Sequence, residues 1–150
     1  MAYQFKLEAV LNYRRNLEEL AQQRLAKELN ILEGHINWLA SLEVQLQEMI
    51  DSLEERKKKP MLSPLYALFR QSIDNKEREI KVQGNMIASQ RKVVEQARVT
   101  LAEKVKKRKV MEKARERDYD KYQLEVLKKE QNESDEQMVL RFGRQGTASL

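Results

Sequence analysis

The chain has 150 residues, of which 35% are charged and only 6% aromatic, with four glycines, two prolines, no cysteine and a formal net charge of +5. That balance excludes a disulfide framework and leaves too few large apolar side chains for a compact globular core. The bias toward Glu, Lys, Arg, Leu, Ala and Gln is instead that of long or coiled-coil helices.

From Phe5 the apolar positions fall at helical spacing, through Leu7, Val10, Leu11, Leu17, Ala21 and Leu25. The opening Met1-Ala2-Tyr3-Gln4-Phe5-Lys6 leads straight into this charged amphipathic pattern rather than into a signal peptide. Beyond Leu25 the pattern sharpens into a heptad seam: Leu25, Leu32, Leu39, Leu46 and Leu53 lie seven apart. Leu29, Ile36 and Ile50 are expected in the second core register, with Glu43 as its one polar position. A first helix is expected over about 5–58.

The break comes at Lys57-Lys58-Lys59-Pro60-Met61-Leu62-Ser63-Pro64, which holds both prolines. Proline lacks a backbone donor, clashes with the preceding turn and pushes the residue before it out of the helical region. A turn is therefore expected over about 59–64, with Ser63 as cap and Pro64 as first helical residue.

A second helix is expected over about 65–141, with its own sevenfold row of Ile73, Ile80, Ile87, Val94 and Leu101. After Leu101 that row becomes Arg108 and Arg115, and the seam is expected to shift to Val105, Met111, Tyr119, Tyr122 and Val126. Gly34 and Gly84 interrupt otherwise helical sequence and mark either a close approach or a soft spot. Folded antiparallel, the two rows register: Leu53 faces Ile73, Leu39 faces Ile87 and Leu25 faces Leu101, each pair centred on residue 63. A connection this short favours antiparallel neighbours.

The fold class expected is therefore all-α: a long antiparallel two-helix coiled-coil hairpin with the second helix longer, forming a single domain over 1–141. Phe5 then lies opposite Lys121, so residues from about Tyr122 to Arg141 extend past any intrachain partner. Their apolar side chains, from Leu124 to Leu140, are candidates for a partner surface. Residues 142–150 are expected to be a disordered tail.

Charge is uneven. Residues 91–117 hold eleven Lys/Arg and four Asp/Glu, a local +7, with Lys104-Val105-Lys106-Lys107-Arg108-Lys109 the densest run. Such a run is a solvated helix face or a docking surface for an acidic partner or a phosphate backbone.

Catalytic chemistry finds no support. His35 stands alone with no second ligand at metal spacing, and there is no glycine-rich phosphate loop, no cysteine nucleophile and no serine with a plausible base. The carboxylates alternate with Lys and Arg at surface-pairing intervals. No enzyme activity, cofactor or metal is expected. No apolar run approaches the roughly 20 residues that cross a bilayer, so a cytoplasmic location is expected. Around the turn, Met61, Leu62, Leu65, Tyr66 and Phe69 cluster; Leu65 and Phe69 suit a packing role, while Met49, Met61, Leu62 and Tyr66 suit partner contact. Trp38 lies off the seam and is a candidate for either.

The run Lys106-Lys107-Arg108-Lys109-Val110-Met111-Glu112-Lys113-Ala114-Arg115-Glu116-Arg117, followed by Glu130-Gln131 and Asp135-Glu136, resembles FliJ, the coiled-coil component of the flagellar type III export apparatus. The opening Phe5-x-Leu7-x-x-Val10-Leu11-x-x-Arg14 is similar to the start of that family. Where the family often has small residues after Asp135-Glu136, this chain has Gln137-Met138-Val139-Leu140.

The resemblance implies a stalk-like, non-enzymatic protein that binds the ring-forming export ATPase FliI with the end bearing both termini and promotes ring assembly. It also implies a link to the export gate protein FlhA, handling of export chaperones, and a place at the cytoplasmic face of the inner membrane at the flagellar base. Carried over by position, it implies Arg14, Arg108, Glu112, Arg115, Gln131, Asp135 and Glu136 as ATPase-facing residues. Architecture adds Met49, Tyr66, Phe69 and Ile73 at the tip as gate-facing candidates.

Two other readings stand beside this one. A basic hairpin could clasp tRNA, although the basic stripe lacks interleaved aromatics and contains acidic residues, which argues against nucleic acid. Alternatively, a structural rod could self-associate through Tyr122–Arg141.

Overall fold

A stripe of leucine every seven residues leaves one helix face that water solvates poorly, and a second helix carrying a matching stripe covers it. The computed structural model, which describes residues 2–148 and side chains over 2–144, has that architecture. Helix α1 spans Glu8–Lys57 and helix α2 spans Ser63–Ala148, with no strand among the described residues. The protein is an all-α hairpin whose second helix is the longer, 86 residues against 50.

The turn follows from proline chemistry. The α1 ladder closes with tight bonds from Lys58 N to Glu55 O at 3.4 Å and from Lys59 N to Arg56 O at 3.3 Å, just before Pro60. Helix α2 begins where Tyr66 N donates to Leu62 O at 3.1 Å. Its first bond thus starts from Leu62, one residue ahead of the expected cap. Pro64 sits in the first turn, where a missing N–H leaves no helical bond unmade.

The contacts divide the chain into two compact units. One comprises Glu19–Glu103 and the other Met1–Glu18 with Lys104–Leu150. In the Glu19–Glu103 unit the expected aliphatic rows are the packed ones. Leu53, Ile73, Ile87 and Val94 are buried, and Leu25, Leu32, Leu39, Leu46, Ile80 and Leu101 are at least half-buried.

The second register differs from expectation. Leu29 and Ile36 are 37% and 41% exposed, Ile50 is half-buried, and Glu43 is exposed. The facing stripe lies one residue earlier, through Ala21, Glu28, His35, Leu42 and Met49. A helix can satisfy a heptad with either a three- or a four-residue step, and here the polar atoms of α2 decide. Gln83 and Gln90 project from α2 onto α1, where their amides donate to the main-chain carbonyls of His35 and Glu28 at 2.9 and 3.0 Å. Gln90 also donates to the Glu28 carboxylate at 2.6 Å. With polar groups holding the buried side, Leu29 and Ile36 become flanks.

Neither internal glycine marks a close approach, since a Cβ at Gly34 or Gly84 would meet nothing within 4 Å.

In the Met1–Glu18 and Lys104–Leu150 unit the core is thin. Leu11 is its one fully buried large side chain among the described residues, with Leu17, Val105, Met111 and Ala114 half-buried. Of the expected seam, Val105, Met111, Tyr122 and Val126 are half-buried, and the sevenfold row of α2 continues beside them. Arg108 and Arg115 stay half-buried, because carboxylates of α1 neutralise them. Tyr119, expected in the seam, is 43% exposed. The helix continues past Arg141 through residues 142–148, the segment for which the sequence suggested a disordered tail; residues 149 and 150 lie outside the described residues.

Candidate functional site

Two side-chain clusters and one bare helix segment are the places where partner chemistry concentrates.

The first cluster lies where α1 begins. Arg108 donates Nε to Glu18 and Nη1 to Glu112 at 2.7 Å, and Glu112 also receives Arg15 at 3.5 Å. The hydrogen bond to Glu18, with the carboxylates of Glu112 and Glu18 nearby, pushes the Arg108 guanidinium up from its ordinary value. Arg115 Nε lies 3.4 Å from Glu8 Oε2, an atom that is buried and accepts no hydrogen bond. One turn further on, Tyr3 closes the end. Its ring meets Tyr119 edge-on at 5.0 Å and lies 5.2 Å from Tyr122, and its hydroxyl donates to Asp118 at 2.8 Å. Partial burial and the Asp118 carboxylate push the Tyr3 phenol up to about 12.

Of the residues assigned to the ATPase-facing set, Arg108, Glu112 and Arg115 are half-buried and largely neutralised by carboxylates and by Arg15, whereas Arg14, also half-buried, forms none of these ion pairs. Gln131, Asp135 and Glu136 are not part of this cluster. They lie on the segment of α2 from Leu127 to Arg144, whose side chains are all exposed. That segment carries Leu127 at 61%, Val139 at 70% and Phe142 at 69% exposure, with Met138 and Leu140 also exposed.

Glu8, Glu18, Tyr3 and Asp118 were absent from the sequence assignment. Two signals could have found them. Continuing the row pairs outward from Leu25–Leu101 puts Glu18 opposite Arg108, and three of the five tyrosines fall where the expected hairpin runs out of partner.

The second cluster is at the tip. Phe69 is half-buried with the Arg56 guanidinium 5.1 Å over its ring, and Lys57 Nζ stands 5.4 Å over the Tyr66 ring. Both cations terminate α1, so cation–π contacts join the helix ends across the turn. Met49, Leu68, Phe69 and Ser72 line a hollow of about 200 Å³. Ile73, by contrast, is 2% exposed and belongs to the seam. Leu62, at 76%, is the most exposed large apolar side chain of the tip.

This arrangement has the makings of a docking protein: paired charges holding a helical hairpin, and a run of α2 beyond it with no cover. Comparison with known proteins gives a family model, described as Flagellar FliJ protein, that matches residues 3–147. The chain belongs to the FliJ family. It is accordingly a component of the flagellar export apparatus, and the FliJ family is a non-catalytic part of that machinery. Neither a curated protein nor a solved structure matches it. This FliJ chain has no helix among the described residues that is long and apolar enough to cross a membrane. Nor do the described residues gather three or more His, Cys, Asp or Glu at a spacing that could hold a metal ion.

Proposed function

We propose that this FliJ chain is the stalk-like partner of the export ATPase, engaging it with the end that bears both termini and promoting ring assembly. The observation that carries the reading is the uncovered run of α2 from Leu127 to Arg144, where apolar side chains stand exposed beside Gln131, Asp135 and Glu136. A helix face of that composition is stable in isolation only at a cost in exposed apolar area, which a partner would relieve.

Arg108, Glu112 and Arg115 act in this reading mainly by holding the hairpin closed at the base of the docking segment, because most of their charge is already matched within the chain, while Arg14 beside them is left to meet the ATPase. The tip, through Met49, Tyr66 and Phe69, is the surface for the export gate membrane protein, Ile73 being left to the seam, and export chaperones are further partners. The protein works in the cytoplasm, peripherally associated with the inner membrane at the flagellar base.

The test separates docking from folding. Gln131→Ala, Asp135→Lys and Glu136→Lys together alter only exposed side chains, so helicity and melting temperature should match the parent chain. The variant should fail to co-purify with the hexameric export ATPase and fail to stimulate its turnover. Normal stimulation by a normally folded variant would remove the segment from the site.

A further inference from the structure

Two stretches of this chain carry net charges of opposite sign and equal magnitude. Residues 28–55 of α1 carry seven Asp/Glu and no Lys or Arg, a local −7. Residues 91–117 of α2 carry eleven Lys/Arg against four Asp/Glu, a local +7. The blocks do not neutralise each other within one chain. The ion pairs between α1 and α2 among the described residues are Arg15–Glu112, Glu18–Arg108 and Glu8–Arg115, all on the α1 side of residue 28.

What remains is unmatched charge. In the acidic block Glu33, Glu43, Glu48, Asp51 and Glu54 are exposed and without an ion pair, and Glu55 pairs only with Lys58 beyond the block. In the basic block Lys106, Lys107, Lys109, Lys113 and Arg117 are exposed and without an ion pair.

Helical spacing turns these residues into stripes. Val44, Glu48, Asp51 and Glu55 follow one another at steps of four, three and four, so they share a face. Lys106, Val110, Lys113 and Arg117 repeat the same steps. Each stripe has a single apolar member, Val44 at 57% and Val110 at 66% exposure, among charged side chains.

We propose that the basic stripe Lys106–Arg117 of one chain docks against the acidic stripe Val44–Glu55 of a second copy, giving a weak, salt-labile self-association. A polyanion such as RNA would match the basic block and be repelled by the acidic one. A cationic surface would do the reverse. A second copy offers both signs at matching helical intervals. Exposed ion pairs contribute little singly, so the association depends on several acting together and weakens as salt screens them. It does not involve the Leu127–Arg144 segment, and its acidic stripe flanks Met49 of the tip without including it.

Sedimentation velocity of the nuclease-treated full chain tests this at about 0.1 M and about 1 M salt, where the Debye length falls from about 10 Å to about 3 Å. Two charge-reversed chains are compared, one with Lys106→Glu, Lys113→Glu and Arg117→Glu, the other with Glu48→Lys, Asp51→Lys and Glu55→Lys. The parent chain should show a sedimentation coefficient that rises with concentration at low salt and does not at high salt. Each variant alone should lose the rise, and an equimolar mixture of the two should restore it. A parent chain that stays monomeric at low salt throughout the micromolar range overturns the proposal. So does association that survives either reversal, that the mixture fails to restore, or that vanishes on nuclease treatment.

Discussion

Gln83 of α2, only 6% exposed, reaches α1 with its amide Nε2, which donates to the main-chain carbonyl of His35 at 2.9 Å and lies 3.2 Å from that residue's Nδ1. Seven residues on, Gln90 repeats the bond to Glu28. These two amides fix which of the alternative heptad faces of α1 is buried, because a shift of one residue would leave them without acceptors in a half-dry seam.

Replacing Gln83 with Leu should therefore leave stability unchanged or raised while loosening the register. The His35 carbonyl keeps its helical bond, and an apolar side chain of similar volume suits the seam. Thermal unfolding should show a melting temperature at or above the parent value. Distances between spin labels at the exposed positions Ile36 and Met86 should broaden. A sharp, unchanged distribution would show that the aliphatic row alone sets the register.

Arg108 takes a position where the row upstream is Ile, Val or Leu, and it is held there by Glu18 and Glu112. Its guanidinium is hydrogen-bonded to carboxylates on both helices, so reversing it to Glu brings three carboxylates together. Arg108→Glu should lower the melting temperature, and adding Glu18→Arg should recover a substantial part of the loss, as expected of a directly coupled pair. Loss of ATPase stimulation by Arg108→Glu alone would report on the integrity of the hairpin base as much as on docking. The doubly swapped chain separates the two: recovered stability with recovered stimulation assigns Arg108 to the scaffold.

The Tyr3 clasp carries a pH signature. The neutral phenol donates to Asp118, whereas a phenolate would face that carboxylate with like charge, and the folded value lies at about 12 against an ordinary 10.0. A group whose folded value is raised contributes fully below its unfolded value and loses that contribution as pH rises through the folded one. The clasp is therefore intact below pH 10 and released as pH approaches about 12. Absorbance titration of tyrosinate should show one late-titrating phenol that disappears in Tyr3→Phe. In that variant, exchange protection of amides near the start of α1 should fall at neutral pH and lose its dependence on alkaline pH.

Much of this hairpin was readable in the sequence because the side chains that drive the two helices together recur periodically. Leucine and isoleucine rows at sevenfold spacing, and two prolines four apart, leave little freedom about where the chain doubles back. The second register of α1 was not readable in the same way. Leu29 and Ile36 are more apolar than Glu28 and His35, and a one-chain hydrophobicity pattern favours the wrong stripe. The preference comes from Gln83 and Gln90, which lie 48 and 62 residues away and act through hydrogen bonds. Arg108 and Arg115 were obscured for the same reason. Read singly they interrupt the seam, whereas across the hairpin Glu18 and Glu8 compensate their burial. Gln131, Asp135 and Glu136 lie on a segment whose side chains are all exposed, so their proposed role comes from family resemblance rather than from packing.

The tip separates packing from recognition within a few residues. Phe69 is half-buried, lines the hollow with Met49 and Leu68, and lies under the Arg56 guanidinium. Phe69→Ala removes this plug, and since the site is only partly enclosed the cost should be about 1.5–3 kcal/mol, below that of a fully buried phenylalanine. Leu62 is 76% exposed, so Leu62→Ala should change stability by no more than about 0.5 kcal/mol. If the tip meets the export gate, the two substitutions divide differently in binding. Leu62→Ala should weaken capture of the gate protein's cytoplasmic part at unchanged melting temperature, whereas Phe69→Ala should lower both together. Unaltered capture by Leu62→Ala, with loss in Phe69→Ala that tracks unfolding alone, would leave the tip a structural cap.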